Sequence, residues 1–369
     1  MNITKIESYR IKLPLLSPFK TSYGYLTHKA MDILVVTDEL GNQGFGELVA
    51  FEQPDYTEET LETARLVLVH HLLPLVINKN IHHPNDVIPL FSVVRGNWMA
   101  KSAIETTIWD MYAKRQKMSF AKLFHSQSTD IEVGVSIGIQ KSIFDLLAVV
   151  SGYVDAGYRR IKLKIAPNQD ISFVKAVREA FPNILLMVDA NSAYTLNDVS
   201  IFKELDCYEL SMIEQPFGYS DFLEHAILQK QIKTPICLDE NIRSVEDVIL
   251  AHHLGSLGAV NLKISRVGGI FQAQKIVDYC NERGLMLWCG GMFESGVGRA
   301  LNIAFASQQG FNFPGDISAS NRYFEEDIIN ESFVLDNGRI SVPNKDGLGV
   351  SLNEEMLSKY GTHHILYQV

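Results

Sequence analysis

The spacing of apolar and polar positions changes twice along this chain, and each change marks a different kind of structure. At Ile3–Leu13, Met31–Thr37 and Gly44–Val49 apolar and polar residues alternate, and Glu39-Leu40-Gly41-Asn42 reads as a turn. A period of two is that of half-buried strands, so a small antiparallel meander is predicted. The period then lengthens to that of a helix. One helix is predicted from about Thr57 to Leu73, with Asp55 and Glu58 as a capping pair. A second carries Met99, Ala100, Ala103, Ile104, Ile108, Met111 and Tyr112 on one apolar face. Polar residues His125–Asp130 close this α+β part.

From Ile131 short apolar runs alternate with helical stretches. Candidate strands are Val133–Ile139, Arg160–Ile165, Leu185–Ala190, Met212–Gln215, Ile236–Asp239, Val260–Ile264, Met286–Cys289 and Phe311–Ile317. Ser172–Ala180, Val245–His253 and Ile270–Arg283 are helices between them. Eight such strands predict a parallel (β/α) barrel. Strands flanking a turn at Asp336-Asn337-Gly338 are expected to return the tail to the first domain. The chain therefore reads as α/β, in segments 1–128, 129–320 and 321–369.

Three carboxylates fall on this repeat. Asp189, Glu214 and Asp239 are spaced 25 residues apart, each ending an apolar run. Acids at the carboxyl ends of three successive parallel strands converge on one point. They repel one another unless a cation lies between them, and an all-oxygen set suits a hard ion such as Mg²⁺, with Mn²⁺ as a substitute. The preceding strand holds Lys162 and Lys164, which share a face, and the following one holds Lys263. The lysine pair alone could equally face the helix layer and reach solvent. Its position decides otherwise: the second and sixth strands stand on opposite sides of an eight-stranded barrel, so a bound substrate would have a lysine on each face.

That geometry suits removal of a proton α to a carboxylate. A divalent ion on the carboxylate stabilises the enediolate that results. A lysine base must be neutral, and a nearby divalent ion or second ammonium disfavours its charged form. Arg266, three residues after Lys263, is expected to act in this way on the sixth-strand side.

Composition narrows the partners. With 46% hydrophobic and 21% charged residues and a net charge of −10, neither nucleic acid nor an anionic membrane is an expected partner. Met1–Glu7 has no apolar leader core and no stretch approaches a membrane span, so a cytoplasmic location is expected. Cys207, Cys237, Cys280 and Cys289 form no CxxC pair and read as buried free thiols. The histidine pairs at 70–71, 82–83, 252–253 and 363–364 read as surface or partly buried, because adjacent side chains diverge.

KxK on the second strand, then Asp, Glu and Asp, then Lys on the sixth, resembles the muconate-lactonizing subgroup of the enolase superfamily. The resemblance covers essentially the whole chain. It implies a modified (β/α)₇β TIM-type barrel with an α+β capping domain built from the N-terminal segment and the C-terminal tail. It implies Asp189, Glu214 and Asp239 as metal ligands, Lys164 and Lys263 as the acid/base pair, and Lys162 as the residue that tunes Lys164 and holds substrate oxygen. Asn191 would assist the metal ligands. Val135-Ser136-Ile137-Gly138, Gly291-Met292-Phe293-Glu294-Ser295-Gly296 and Pro314–Ser320 resemble o-succinylbenzoate synthases and N-succinylamino acid racemases. Ser136, Gly291, Met292, Phe293 and Glu294 would then face the substrate. Dipeptide epimerases of the subgroup carry Asp-x-Asp on the eighth strand, where this chain has Asp316-Ile317-Ser318.

The resemblance further implies a lid over the barrel mouth, made by Ser17–Tyr25 and Ala50–Tyr56, with Phe19, Tyr23 and Phe51 as its aromatic contacts. Ordinary interface packing is the competing reading, and Glu47 is read as structural. Glu240, beside Asp239, is expected to face away from the site. The expected partner is a small-molecule carboxylate, acted on by a homo-oligomer. Dehydration of 2-succinyl-6-hydroxy-2,4-cyclohexadiene-1-carboxylate to o-succinylbenzoate, the menaquinone-pathway step, leads. N-succinylamino acid racemisation is a further activity open to the same site. N-succinyl- or N-acylamino acid racemisation as the main role, muconate-type cycloisomerisation, a pyridoxal enzyme using Lys263 and a catalytically inactive binding barrel are the alternatives.

Overall fold

A computed structural model describes residues 1–20 and 24–368. Strands Ile3–Lys20 (β1), Tyr25–Asp38 (β2) and Gln43–Leu48 (β3) form the predicted antiparallel meander. Ile3, Ile6, Leu34, Val36 and Leu48 are buried against the helices that follow.

The first helix begins at Leu61, later than predicted, because Leu61 N–H bonds the Phe51 carbonyl at 2.7 Å and holds residues 51–60 outside it. Its start is capped by Thr60 and Thr63, not by Asp55 and Glu58. The helix continues to Val76 through a π turn at Leu68–Leu72 that contains His70 and His71. Helix Trp98–Arg115 is buried almost all round rather than on one face, including Ser102, Glu105, Thr106, Thr107 and Asp110. It lies between the capping sheet and the barrel. Gly46 permits the close approach on the sheet side, where a Cβ would stand 2.0 Å from Thr107 Oγ1.

Asp130–Glu132 (β4) leads into seven parallel strands: Gly134–Ile137 (β5), Arg160–Lys164 (β6), Leu185–Asp189 (β7), Ile213–Glu214 (β8), Ile236–Leu238 (β9), Ala259–Leu262 (β10) and Met286–Cys289 (β11). The expected eighth strand at Phe311–Ile317 is reduced to isolated pairings. Gly134 N–H bonds Gly315 O at 2.8 Å and Asp316 N–H bonds Cys289 O at 2.9 Å, which joins the two edges of the sheet. Pro314 lacks the N–H that a continuous ladder needs there.

The tail departs from expectation in one strand. Arg339–Ser341 (β12) pairs with β4, just before the first parallel strand, not with the capping sheet. Only Gly361–Gln368 (β13) returns there, antiparallel to β1, giving the order β13-β1-β2-β3. Of the four cysteines, Cys207 is exposed, contrary to the buried reading, while the other three are buried. Among the described residues no helix is long and apolar enough to cross a membrane.

Candidate active site

The alternation of the barrel strands builds the site in two layers. Met187, Met212, Cys237, Ala259 and Trp288 form an apolar cluster inside the barrel. Asp189, Glu214 and Asp239 each lie two residues after a member of that cluster, so they point inward one layer nearer the mouth. The strand pairing sets Lys164 beside Asp189 and Asp189 beside Glu214. Lys162 and Lys164 both face inward, which excludes the helix-layer alternative.

Each ammonium has carboxylate partners. Lys162 Nζ lies 2.9 Å from Glu214, 3.3 Å from Asp189 and 2.5 Å from Asp316. Lys164 Nζ donates to Asp189 Oδ2 and to Asn191 Oδ1, both at 2.6 Å. On the opposite side, Lys263 Nζ donates to Asp239 Oδ2 at 2.8 Å and to the Tyr56 hydroxyl at 2.6 Å. Arg266 bonds Asp239 Oδ1 and the same hydroxyl, which itself donates to Asp239 Oδ2 at 2.8 Å.

These charges shape one another. Burial alone would raise Asp239, but Arg266 and Lys263 hold its carboxyl well below the usual range. Asp189 is also lowered: Lys164 and Lys162 outweigh the opposing effect of burial. Glu214 behaves differently. Burial, then repulsion from Asp189, lifts it to about 7. Lys162 is held charged, since Asp316, Glu214 and Asp189 overcome burial.

The donor set fits a hard divalent cation. Three carboxylates, 0–1% exposed, end neighbouring strands and repel one another, and all offer oxygen. The side chains do not stand as a ready-made cage: among the described residues, no three His, Cys, Asp or Glu side chains are grouped closely enough to hold an ion. Lysine ammonium groups bridge the carboxylate oxygens instead.

The other expected residues divide. Ser136, Asn191, Gly291, Met292, Phe293, Glu294, Phe19 and Phe51 line one narrow cavity of about 50 Å³ together with the three lysines. Phe19 and Phe51 approach Phe293 at ring-centroid distances of 5.1 and 6.3 Å. A second cavity of about 320 Å³ shares these three rings and is otherwise lined by the capping segments at residues 12, 24–28, 52, 53 and 55. The aromatic residues therefore stand between an inner and an outer space. Tyr23 lies outside the described residues. Glu240 does not face away: its carboxylate accepts from Asn191 Nδ2 at 3.0 Å, and burial followed by Asp239 repulsion raises it to about 8. It lies just beyond the end of β9, where strand alternation no longer applies.

Several participants were missing from the sequence reading. Arg160 precedes Lys162 by two residues, and its guanidinium lies 2.6 Å from Asp316 as an ion pair while Ser136 donates to the other Asp316 oxygen at 2.8 Å. Asn261 precedes Lys263 by two residues and donates to Glu214 at 2.7 Å. Period-two alternation would have found both. Tyr56 comes from an irregular capping loop and carries no periodic signal.

Fold and site together define an enolase-type enzyme, and comparison with known proteins agrees. Residues 145–356 match the enolase C-terminal domain-like family, and residues 5–124 match the mandelate racemase / muconate lactonizing enzyme N-terminal domain. The chain belongs to this mandelate racemase / muconate lactonizing enzyme family, within the enolase superfamily. It is 55% identical over 363 residues to an o-succinylbenzoate synthase of Enterococcus faecalis, covering 98% of this chain and 99% of that one. It is 42% identical to an N-succinylamino acid racemase of an Amycolatopsis species, over 98% of both. A solved structure of an enolase superfamily member from Listeria innocua superposes with a TM-score of 0.97 at 53% identity, covering 100% of this chain and 99% of the other. Members of this superfamily typically use a divalent metal.

Proposed function

We infer that this enzyme is an o-succinylbenzoate synthase. It removes a proton α to a carboxylate, and the cyclohexadiene substrate loses that proton and its ring hydroxyl as water. The observation that carries the proton-transfer reading is the placement of Lys164 and Lys263 on opposite sides of one ring of buried carboxylates. Full-length identity to o-succinylbenzoate synthases supports the particular substrate.

Asp189, Glu214 and Asp239 would hold Mg²⁺, or Mn²⁺ in its place. When bound, the ion supplies Lewis-acid stabilisation of charge building on the substrate carboxylate. Lys164, as the neutral amine, takes the α-proton, and Asn191 Oδ1 accepts from its Nζ and aims it. Lys162, fixed by Asp316 and Glu214, keeps a positive charge beside that base. Lys263 supplies charge on the other face during dehydration. In a racemisation both lysines must exchange protons, and Lys263, held beside Asp239, would serve the second face. That geometry, with the 42% identical racemase, favours N-succinylamino acid racemisation as a second activity of the same site. The buried Cys237, Cys280 and Cys289 as free thiols are consistent with a cytoplasmic enzyme.

The test is direct. Purified protein with Mg²⁺ should convert the cyclohexadiene precursor to o-succinylbenzoate, and chelation should stop it. Conversion of N-succinylamino acids without any dehydration would overturn the synthase reading. Activity on neither would sink the succinylated substrate class.

A further inference from the structure

Both proposed substrate classes carry a second carboxylate, at the far end of the succinyl arm. A charge entering a buried site needs a counter-charge. Four cationic side chains line the inner cavity: Lys162, Lys164, Lys263 and Arg299. The three lysines are already matched to Asp316, Glu214, Asp189 and Asp239.

Arg299 differs. It is 3% exposed, and its side-chain contacts run to two backbone carbonyls, Nη1 to Ser318 O and Nη2 to Glu294 O at 3.1 Å. Neither acceptor carries a formal charge. The Arg299 Nε–H is buried with no hydrogen-bond partner. A guanidinium has five N–H donors, so most of its donor capacity is unspent. The two carbonyls come from the loop after β11 and from the segment that closes the barrel, and they fix the plane of the group in advance. The guanidinium of Arg299 also lies 5.7 Å from the centre of the Tyr323 ring, another wall of the cavity. Glu294 lines the same cavity, but one of its carboxylate oxygens turns back to accept from Met292 N–H at 2.8 Å.

We propose that Arg299 is the recognition residue for the remote carboxylate of the substrate, and that it selects dicarboxylates whose second acid ends a short acyl arm. The proposal rests on the synthase and racemase reading and adds the residue that distinguishes a succinyl arm from an uncharged one. A buried charged hydrogen-bonding group left unpaired by the wrong ligand discriminates strongly.

Two ligand pairs test it. Calorimetry with Mg²⁺ compares o-succinylbenzoate with 2-butyrylbenzoate, which has the same skeleton without the remote acid. Exchange of the α-proton in D₂O compares an N-succinyl with the matching N-butyryl amino acid. In the wild type the dicarboxylate should be preferred by about 10- to 100-fold in Kd and in kcat/KM. Arg299→Met should compress both ratios to within about 3-fold, and Arg299→Lys, which keeps a point charge without the fork, should fall between. If Arg299→Met weakens both members of a pair alike and leaves the ratio unchanged, the residue merely ties the two loops together and the proposal is overturned. A wild type that handles both members equally overturns it too, while leaving the proton-transfer reading intact. A wild type that neither binds nor exchanges any of them removes that reading and this proposal together.

Discussion

Tyr56 shows how much of the site's electrostatics rests on a single hydroxyl. It accepts from Lys263 and Arg266 while donating to Asp239, so one oxygen joins two cations to an anion. Removing it leaves these buried groups short of a partner, at a cost of about 1–3 kcal/mol. Tyr56→Phe should therefore slow proton exchange at the Lys263 face by about 10- to 100-fold. Exchange at the Lys164 face, served by Asn191, should change much less. Stereospecific deuterium incorporation reads the two faces separately. A second expectation concerns the three carboxylates. A ligand that binds only the folded state raises the melting temperature. Mg²⁺ should do so for the wild type and much less for Glu214→Gln; an equal rise in both would remove Glu214 from the ligand set. The lysines and acids were readable from spacing because strand ends repeat at a regular interval. Tyr56 was not, since its place depends on how a loop of one domain folds over another. Asp316 was noticed only as half of an incomplete Asp-x-Asp, and its pairing with Arg160 and Lys162 is a tertiary fact.

The elements around the mouth are joined by buried carboxylates at helix starts. Glu105, from helix Trp98–Arg115, accepts from the N–H groups of Ile270 and Phe271, and Glu47, at the end of the capping meander, accepts from Ser295 and Gly298. Each satisfies donors that a helix N-terminus leaves open, which bears out the structural reading of Glu47. Gly269, at φ 114°, lets Glu105 approach: a Cβ there would stand 2.3 Å from Glu105 Oε2. Burial raises the Glu105 carboxyl from 4.5 to about 7, against the pull of its N–H donors. The folded state therefore holds this proton more tightly than the unfolded chain. The stability that follows is fully present below about pH 4.5 and is lost as pH rises through about 7, by at most about 3 kcal/mol. Glu105→Gln does not titrate and sets an amide N–H₂ against a donor, a cost of about 1–3 kcal/mol. Its penalty should be larger at pH 5 than at pH 8 in denaturant titrations. A penalty that grows with pH would contradict this. Sequence spacing predicted the helix but not its burial on all sides, because periodicity reports a face and not a second partner.

Across the whole molecule, the meander, the barrel alternation and the convergence of charged residues were legible because they depend on local period. The short β8 and β9 and the broken eighth strand were less so, since their lengths depend on ring closure and on Pro314. The pairing of β12 with β4 joins distant parts of the chain, which local period does not report. The lid reading belongs to the scale of the assembled molecule as well. An inner cavity of about 50 Å³ cannot admit a substrate of this size while Phe19 and Phe51 stand over it. On the lid reading, substrate entry displaces those rings towards the outer space. Phe19→Ala should raise the rate of product release, seen as a higher kcat where release limits turnover, together with a higher KM; a fall in kcat with KM unchanged would argue that Phe19 only packs the interface.

The arrangement of the two lysines is tested most directly by following α-proton exchange of each enantiomer of an N-succinylamino acid in D₂O by NMR. Wild type should exchange and interconvert both. Lys164→Ala should retain exchange for one enantiomer only and Lys263→Ala for the other, each without racemisation. Loss or retention of exchange for the same enantiomer in both variants would contradict a site with one base on each face.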